Sequence, residues 1–229
     1  MARKKGIYAR DLVKNTDQYV ANIVKMYHLA SDNDIENGRS WYQRASQFCE
    51  TLANSYDRTL ADVAGIMSAL SPSTSFEQNV IDTVNVIAGN DHETVSTYGA
   101  QYAKALEIRD GGIEPVDVMG ENKTAAFWLN IVNPTTSGRV TVDRHSARVA
   151  VDWGMSSDDI YFYNNTTAKY TVLENAYKLA AEKIGILPHV LQAITWTAYR
   201  RLFATRTNGD AALERKRASV ADQVNDLPF

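Results

Sequence analysis

Val140-Thr-Val-Asp-Arg-His-Ser-Ala-Arg-Val-Ala150 decides how the chain is read. With Arg139, its first three residues make the only run with strand character, two valines flanking a threonine. Four residues are too few to build a sheet. Asp143 then stands where a helix N-cap belongs, with Arg144, His145 and Arg148 in the turns that follow. With that candidate strand set aside, the sequence predicts an all-α protein.

Working outward, helical spacing recurs on both sides. Thr59-x-x-Asp62 opens a helix over 59–70 with Leu60, Val63, Ala64, Met67 and Leu70 on one face. Phe76, Val80, Val84, Ile87 and Ala88 form a second stripe. A Thr171-x-x-Glu174 box predicts a helix burying Val172, Ala176, Leu179, Ala180 and Ile184. Gly185 and Pro188 end that helix and begin the next, which carries Val190, Leu191, Ile194, Ala198 and Leu202. Further helices are expected over 16–30, 38–56 and 93–108. Breaks are expected at 31–38, 110–112, 133–138 and 164–167.

Composition narrows the function classes. With 229 residues, 45% of them apolar and 22% charged, the chain can bury a substantial core, so disordered and fibrous readings are excluded. One cysteine, Cys49, excludes a disulfide framework and a cysteine-ligated cluster. Four histidines leave little from which to build a zinc site, and neither a metal nor a cofactor is expected. The longest uncharged run, Ile184 to Tyr199, is too short to span a bilayer, and the N-terminus lacks the apolar stretch of a signal peptide. No membrane partner and a cytoplasmic location are therefore expected. The net charge of −3 hides two basic segments. One contains Arg3, Lys4, Lys5, Arg10 and Lys14; the other contains Arg200, Arg201, Arg206, Arg215, Lys216 and Arg217. Both suit a phosphate backbone, but charge alone favours solvated ends on an acidic body.

Three segments carry candidate chemistry. Ile66-Met-Ser-Ala-Leu-Ser-Pro-Ser-Thr-Ser-Phe-Glu-Gln-Asn79 is an apolar helix, a break at Pro72 and a restart, with small residues that let a nucleotide approach. It also reads as an ordinary helical corner. Met119-Gly-Glu-Asn-Lys-Thr-Ala-Ala-Phe-Trp-Leu-Asn-Ile131 places Lys123 in a first helical turn, where the helix dipole favours the neutral amine that a nucleophile needs. A solvated surface lysine fits the same pattern. In the third segment Asp143 is a cap, a carboxylate able to stabilise a cationic sugar, or both.

Together and in this order, the segments resemble the helix–hairpin–helix DNA glycosylases, the superfamily of endonuclease III. Met67-Ser-Ala-Leu-Ser-Pro is similar to that family's early loop. Lys123-Thr-Ala is similar to the end of its hairpin, and Val142-Asp-Arg-His to its Val-Asp-x-His motif. Lys123 and Asp143 are 20 positions apart, as in the family. The hairpin's Gly-Val-Gly is replaced by Met119-Gly120-Glu121-Asn122. Lys-x-x-x-Phe-Trp-x-Asn-Ile and Val-Thr-Val-Asp-Arg-His look closer still to small phage proteins of this superfamily associated with thymine hypermodification.

The resemblance implies a two-lobed helical fold. Residues 38–140 would form a barrel lobe containing the degenerate hairpin, and 1–37 with 141–229 a second lobe. It implies an enzyme that flips a modified pyrimidine out of duplex DNA, with Asp143 and Lys123 catalytic and facing each other across a cleft. Ser71, Ser73, Asn79, Phe127, Trp128, Arg144, His145 and Arg148 would bind substrate. Lys4, Lys5, Gly120, Asn122, Arg200 and Arg201 would hold the DNA backbone. N-glycosylase chemistry, with lyase activity if Lys123 attacks C1′, is the leading expectation. The alternatives are a transferase acting on activated 5-hydroxymethyluracil with an amino acid as co-substrate, and a non-catalytic DNA-binding module.

Overall fold

A computed structural model describes residues 7–203 apart from 73, 91, 112 and 121. The described residues contain no strand. The helices are α1 (Ala9–Val13), α2 (Thr16–His28), α3 (Asp32–Ser55), α4 (Leu60–Leu70), α5 (Phe76–Ile87), α6 (Gly99–Asp110), α7 (Pro115–Met119), α8 (Lys123–Val132), α9 (Arg144–Val151), α10 (Ser157–Asn164), α11 (Thr167–Ile184) and α12 (Pro188–Leu202). The chain divides into two compact units. Among the described residues the first combines 7–42 with 135–203, and the second spans 43–134, so α3 contributes to both.

The first unit is a helical bundle. Ile23 and Met26 of α2, Val149 of α9, Leu173 and Tyr177 of α11 and Leu191 of α12 share one core. Removing that much apolar surface from water is the main force holding the four helices together. Gly185 ends α11 in the left-handed conformation (φ +79°), its N–H returning to Ala181 O, and Pro188 opens α12.

Two boundaries in this unit differ from the sequence reading. The break expected at 31–38 is helix. Ser31 Oγ accepts from Asp34 N–H (3.2 Å) and Asp34 Oδ2 accepts from Ser31 N–H (2.9 Å), a reciprocal cap that starts α3 six residues earlier than expected. Gly38 sits inside that helix because a Cβ there would lie 2.5 Å from Ile194 Cα, so only glycine lets α3 and α12 approach this closely. Likewise α11 begins at Thr167, capped by Thr166, and Thr171 is an interior residue bonding back to Thr167 O (2.9 Å). Leu179, expected in the core, is 42% exposed.

The second unit is built around α4. The sequence reading gave this helix one apolar face. In fact all eight residues from Val63 to Leu70 are buried, because α5, α6, α7 and α8 each pack against it. A helix covered on every side needs small or apolar residues throughout, which Gly65, Ser68 and Ala69 supply. Gly65 accommodates Pro115 of α7, whose ring lies 2.7 Å from where a Cβ would stand. The Thr59/Asp62 capping box forms as the sequence predicts. Cys49, on α3, is sealed beside Met67, with sulfurs 3.9 Å apart, and burial pushes its thiol pKa up to about 12.

Gly38→Ala should lower stability by about 1–3 kcal/mol, the usual cost of overpacking. Gly99→Ala, where the added methyl meets nothing within 4 Å, should change it by no more than about 0.5 kcal/mol. Chemical denaturation of the two variants checks the contrast.

Candidate active site at the start of helix α9

The extended run 139–142 makes no ladder with another strand, so its backbone groups must find other partners. Helix α11 supplies them. Glu174 Oε1 accepts from Val140 N–H (3.0 Å) and from Arg139 Nε (2.8 Å). The Tyr170 hydroxyl donates to Val140 O (2.6 Å) and accepts from Val142 N–H (3.1 Å). Burial raises the Tyr170 phenol well above its ordinary pKa, so it remains a hydroxyl able to serve both groups. Thr141 and its neighbours are held from the other side. The Tyr42 hydroxyl, 2.9 Å from Thr141 Oγ1, donates to Gln192 Oε1 (2.8 Å), and Gln192 Nε2 donates to Ser146 Oγ (3.0 Å).

This scaffold delivers Asp143 to the N-terminus of α9. Its Oδ1 accepts from His145 N–H (3.0 Å) and Ser146 N–H (2.7 Å), which makes it the N-cap that the sequence predicts. Its Oδ2 accepts from the Trp196 indole of α12 (2.9 Å). Two backbone amides, an indole N–H and the positive end of a helix dipole all favour the negative charge. The side chain is partly exposed, so a ligand can reach it.

Aromatic and basic groups surround the carboxylate. The His145 ring lies edge-on to Trp196 (6.3 Å between centroids) and tilted against Tyr199 (5.7 Å). Burial lowers the His145 pKa, with Arg144, Arg148 and Arg200 adding to the effect and Asp143 opposing it. Its Nδ1 is buried without a hydrogen-bond partner among the described residues. The Arg200 guanidinium lies over the Trp196 ring at 4.6 Å. Arg144 is exposed, whereas Arg148 turns back to Met155 O (2.8 Å). Asp143, Arg144, His145 and Arg200 are therefore brought together. The sequence marks Trp196 and Tyr199 as aromatic residues beside Arg200 and Arg201 on one late helix, suited to a DNA strand or to plain amphipathic packing, but not as neighbours of Asp143. Nothing local ties them to Asp143, since Trp196 meets it from 53 residues away.

Arg201, expected at a DNA backbone, is used within the fold. Its guanidinium holds the buried Asp34 carboxylate (Nη2–Oδ2 2.6 Å, Nε–Oδ2 2.8 Å) and donates to Leu29 O. Burial alone would raise the Asp34 pKa, but the Arg201 and Ser31 donors outweigh it and hold the carboxyl below its ordinary range.

The remaining predicted residues lie in the second unit or outside the described residues. Lys123 opens α8 and is half-buried, with Phe127 and Asn130 on the buried face of that helix. The Trp128 indole donates to Ala61 O (3.0 Å), and Asn122 Oδ1 is buried without a partner among the described residues. Gly120 adopts φ +72° with open space around it, so glycine serves there for its backbone conformation. Ser71 caps the C-terminus of α4, and Asn79 lies in the first turn of α5. Lys4, Lys5 and Ser73 lie outside the described residues, as do the basic residues from 206 onward. A surface groove lined by Lys178, Glu182, Gly185, Leu187 and Pro188 contains none of the predicted set.

Among the described residues no group of three or more His, Cys, Asp or Glu side chains is placed to hold a metal ion, and no helix is long and apolar enough to cross a membrane.

The depressed His145 pKa has a stability consequence. The folded state disfavours the imidazolium, so this contribution is complete above the ordinary value of about 6.5 and is lost as the pH falls through the lower folded value. Wild-type protein should lose thermal stability between pH 7 and pH 5, and His145→Phe should lack that part of the loss. Parallel melting curves across this range test it; equal losses in both proteins would show that the charged ring is accommodated.

Comparison with curated proteins and with solved structures gives no match. A family profile matches residues 7–203, and the chain belongs to that family, DUF7178, a family of unknown function.

Proposed function

We propose that this protein acts on a modified pyrimidine in DNA, with the Asp143 carboxylate stabilising positive charge on the deoxyribose as the glycosidic bond breaks. The observation that carries the reading is the setting of that carboxylate. It is partly exposed, fixed by three N–H donors at a helix N-terminus, and bordered by the basic and aromatic groups of Arg144, His145, Trp196 and Arg200. A preorganised charge of this kind needs no reorganisation as the oxocarbenium-like sugar forms. In the glycosylase reaction the C1′–N1 bond breaks, its electron pair leaves with the base, and water adds at C1′ with loss of a proton. Lys123, at the start of α8, would be the amine for an accompanying lyase step through a Schiff base.

A second reading is favoured by the arginines. Arg144 is exposed beside Asp143, and Arg200 covers the indole that holds it. Guanidinium groups bind phosphates with fork-like geometry. They would suit a pyrophosphate leaving from an activated 5-hydroxymethyluracil in a phage hypermodification transferase, with an amino acid as acceptor. No membrane enters either reading, and both place the work in the cytoplasm.

Asp143→Asn keeps the capping oxygen and removes the charge. It should retain DNA binding and lose turnover by at least about a hundredfold. Duplexes containing uracil, 5-hydroxymethyluracil or its pyrophosphorylated form, incubated with and without amino acids, separate the readings. Abasic product marks a glycosylase, and a mass gain on the base marks the transferase. Binding without turnover marks a non-catalytic module and overturns the catalytic proposal. Borohydride trapping in wild type but not in Lys123→Gln would assign the amine.

A further inference from the structure

The second unit holds several buried polar atoms left unpaired among the described residues. The hydroxyls of Ser68, Ser71 and Thr97 and the Oδ1 of Asn79 are sealed from solvent with no hydrogen-bond partner among the described residues. Ser68 is fully buried and Asn79 is 2% exposed. Folded proteins contain few such atoms, because each forfeits its hydrogen bonds to water without replacement. Here four are gathered at one corner.

Their positions follow from the helices. Ser68 and Ser71 stand three residues apart at the C-terminal end of α4, so both lie on one side of that end. Asn79 belongs to the buried face of α5, with Val80 and Thr83, and α5 packs on α4. Thr97 follows Ser96, whose N–H donates to Asp82 Oδ1 (3.1 Å), the same oxygen that Gln78 Nε2 reaches from the first turn of α5 (2.9 Å). Between the two helices Ser71, Pro72, Thr74 and Phe76 are half-buried and Ser75 is exposed, so the corner reaches the surface.

The chemistry of the cluster selects its ligand. The unpaired groups are three hydroxyls and an amide oxygen; the charged side chain named beside them is the buried Asp82 carboxylate, which repels a phosphate or carboxylate. An uncharged ring carrying both donors and acceptors is what they complement. The amide oxygen can only accept, so the ring atom facing it must carry hydrogen. Ring N3 does so in uracil and thymine, with a carbonyl on each side, whereas cytosine offers its donor on the exocyclic amine and has a single carbonyl. The hydroxyls can donate to the carbonyls on either side.

We propose that the α4–α5 corner binds the imide edge of a uracil-type base, with Asn79 Oδ1 accepting from ring N3–H and the Ser68 and Ser71 hydroxyls donating to the ring carbonyls. This rests on the reading of the protein as one that engages pyrimidines in DNA, and it gives the second unit a base preference of its own. Because the atoms are sealed, binding requires the corner to open, and Phe76, the first residue of α5, is a half-buried aromatic at that corner.

The test uses the full chain. Fluorescence anisotropy compares duplexes with a single 5-hydroxymethyluracil, 5-hydroxymethylcytosine or N3-methylthymine, and NMR chemical-shift titration compares deoxyuridine with deoxycytidine. Wild type should favour 5-hydroxymethyluracil over the other two bases by at least tenfold, and Asn79→Leu and Ser68→Ala should each erase the preference while affinity for unmodified duplex is kept. Melting temperatures verify that both variants are folded; if Asn79→Leu unfolds, Ser68→Ala carries the comparison. DNA binding with no base preference and no nucleoside shifts overturns the corner assignment and leaves the DNA reading standing. Deoxyuridine shifts without DNA binding do the reverse. A preference that survives both substitutions, or a Ser68→Ala variant that only melts earlier, assigns these atoms to internal water and also overturns it.

Discussion

Four residues of extended backbone, held by side chains instead of a neighbouring strand, carry the arrangement around Asp143. A strand in a sheet is fixed by a repeating ladder; residues 139–142 depend on Tyr170 and Glu174, two buried side chains one turn apart on α11. The cost of leaving those amides and carbonyls unpaired in a closed interior enforces the geometry. The segment then has little freedom, and Asp143 emerges from it at a set height above α9. The indole of Trp196 links the same carboxylate to α12, so capping and inter-helix attachment share one side chain.

The second unit follows a different logic. Its organising element is a helix whose last eight residues have no solvent face, and side-chain size governs there more than hydrogen bonding. Gly65 lets a proline ring lie against the helix, and the small residues at 68 and 69 let its neighbours approach. Serine is small enough for that position, but in a closed environment it brings a hydroxyl that must be satisfied or left wanting.

Local rules were readable in the sequence and distant ones were not. The Thr59/Asp62 box, the Asp143 cap, the Gly185 stop and the Pro188 start each depend on residues within a turn of one another, and each forms as spacing predicts. The all-α class follows from the same local periodicity. Where the reading failed locally, a stronger local signal had been passed over: Ser31 and Asp34 cap α3 reciprocally, and Thr166 precedes the threonine taken as a cap. The partners of Asp143 beyond its own helix were out of reach, because an indole 53 residues downstream leaves no mark in spacing. Arg201 illustrates the same limit. Its charge was legible, but the buried Asp34 that engages it is 167 residues away.

The chain's one thiol has a practical consequence. Cys49 lies in the second unit, sealed and with its pKa raised to about 12, so the reactive thiolate is scarce while the fold is closed. Alkylation then proceeds through transient opening of the structure around α3 and α4, and its rate measures how often that opening occurs. With no second cysteine in the sequence, the labelling signal belongs to the second unit alone. Its breathing can be timed with a thiol reagent alone, without mutation or tag, while the first unit stays silent.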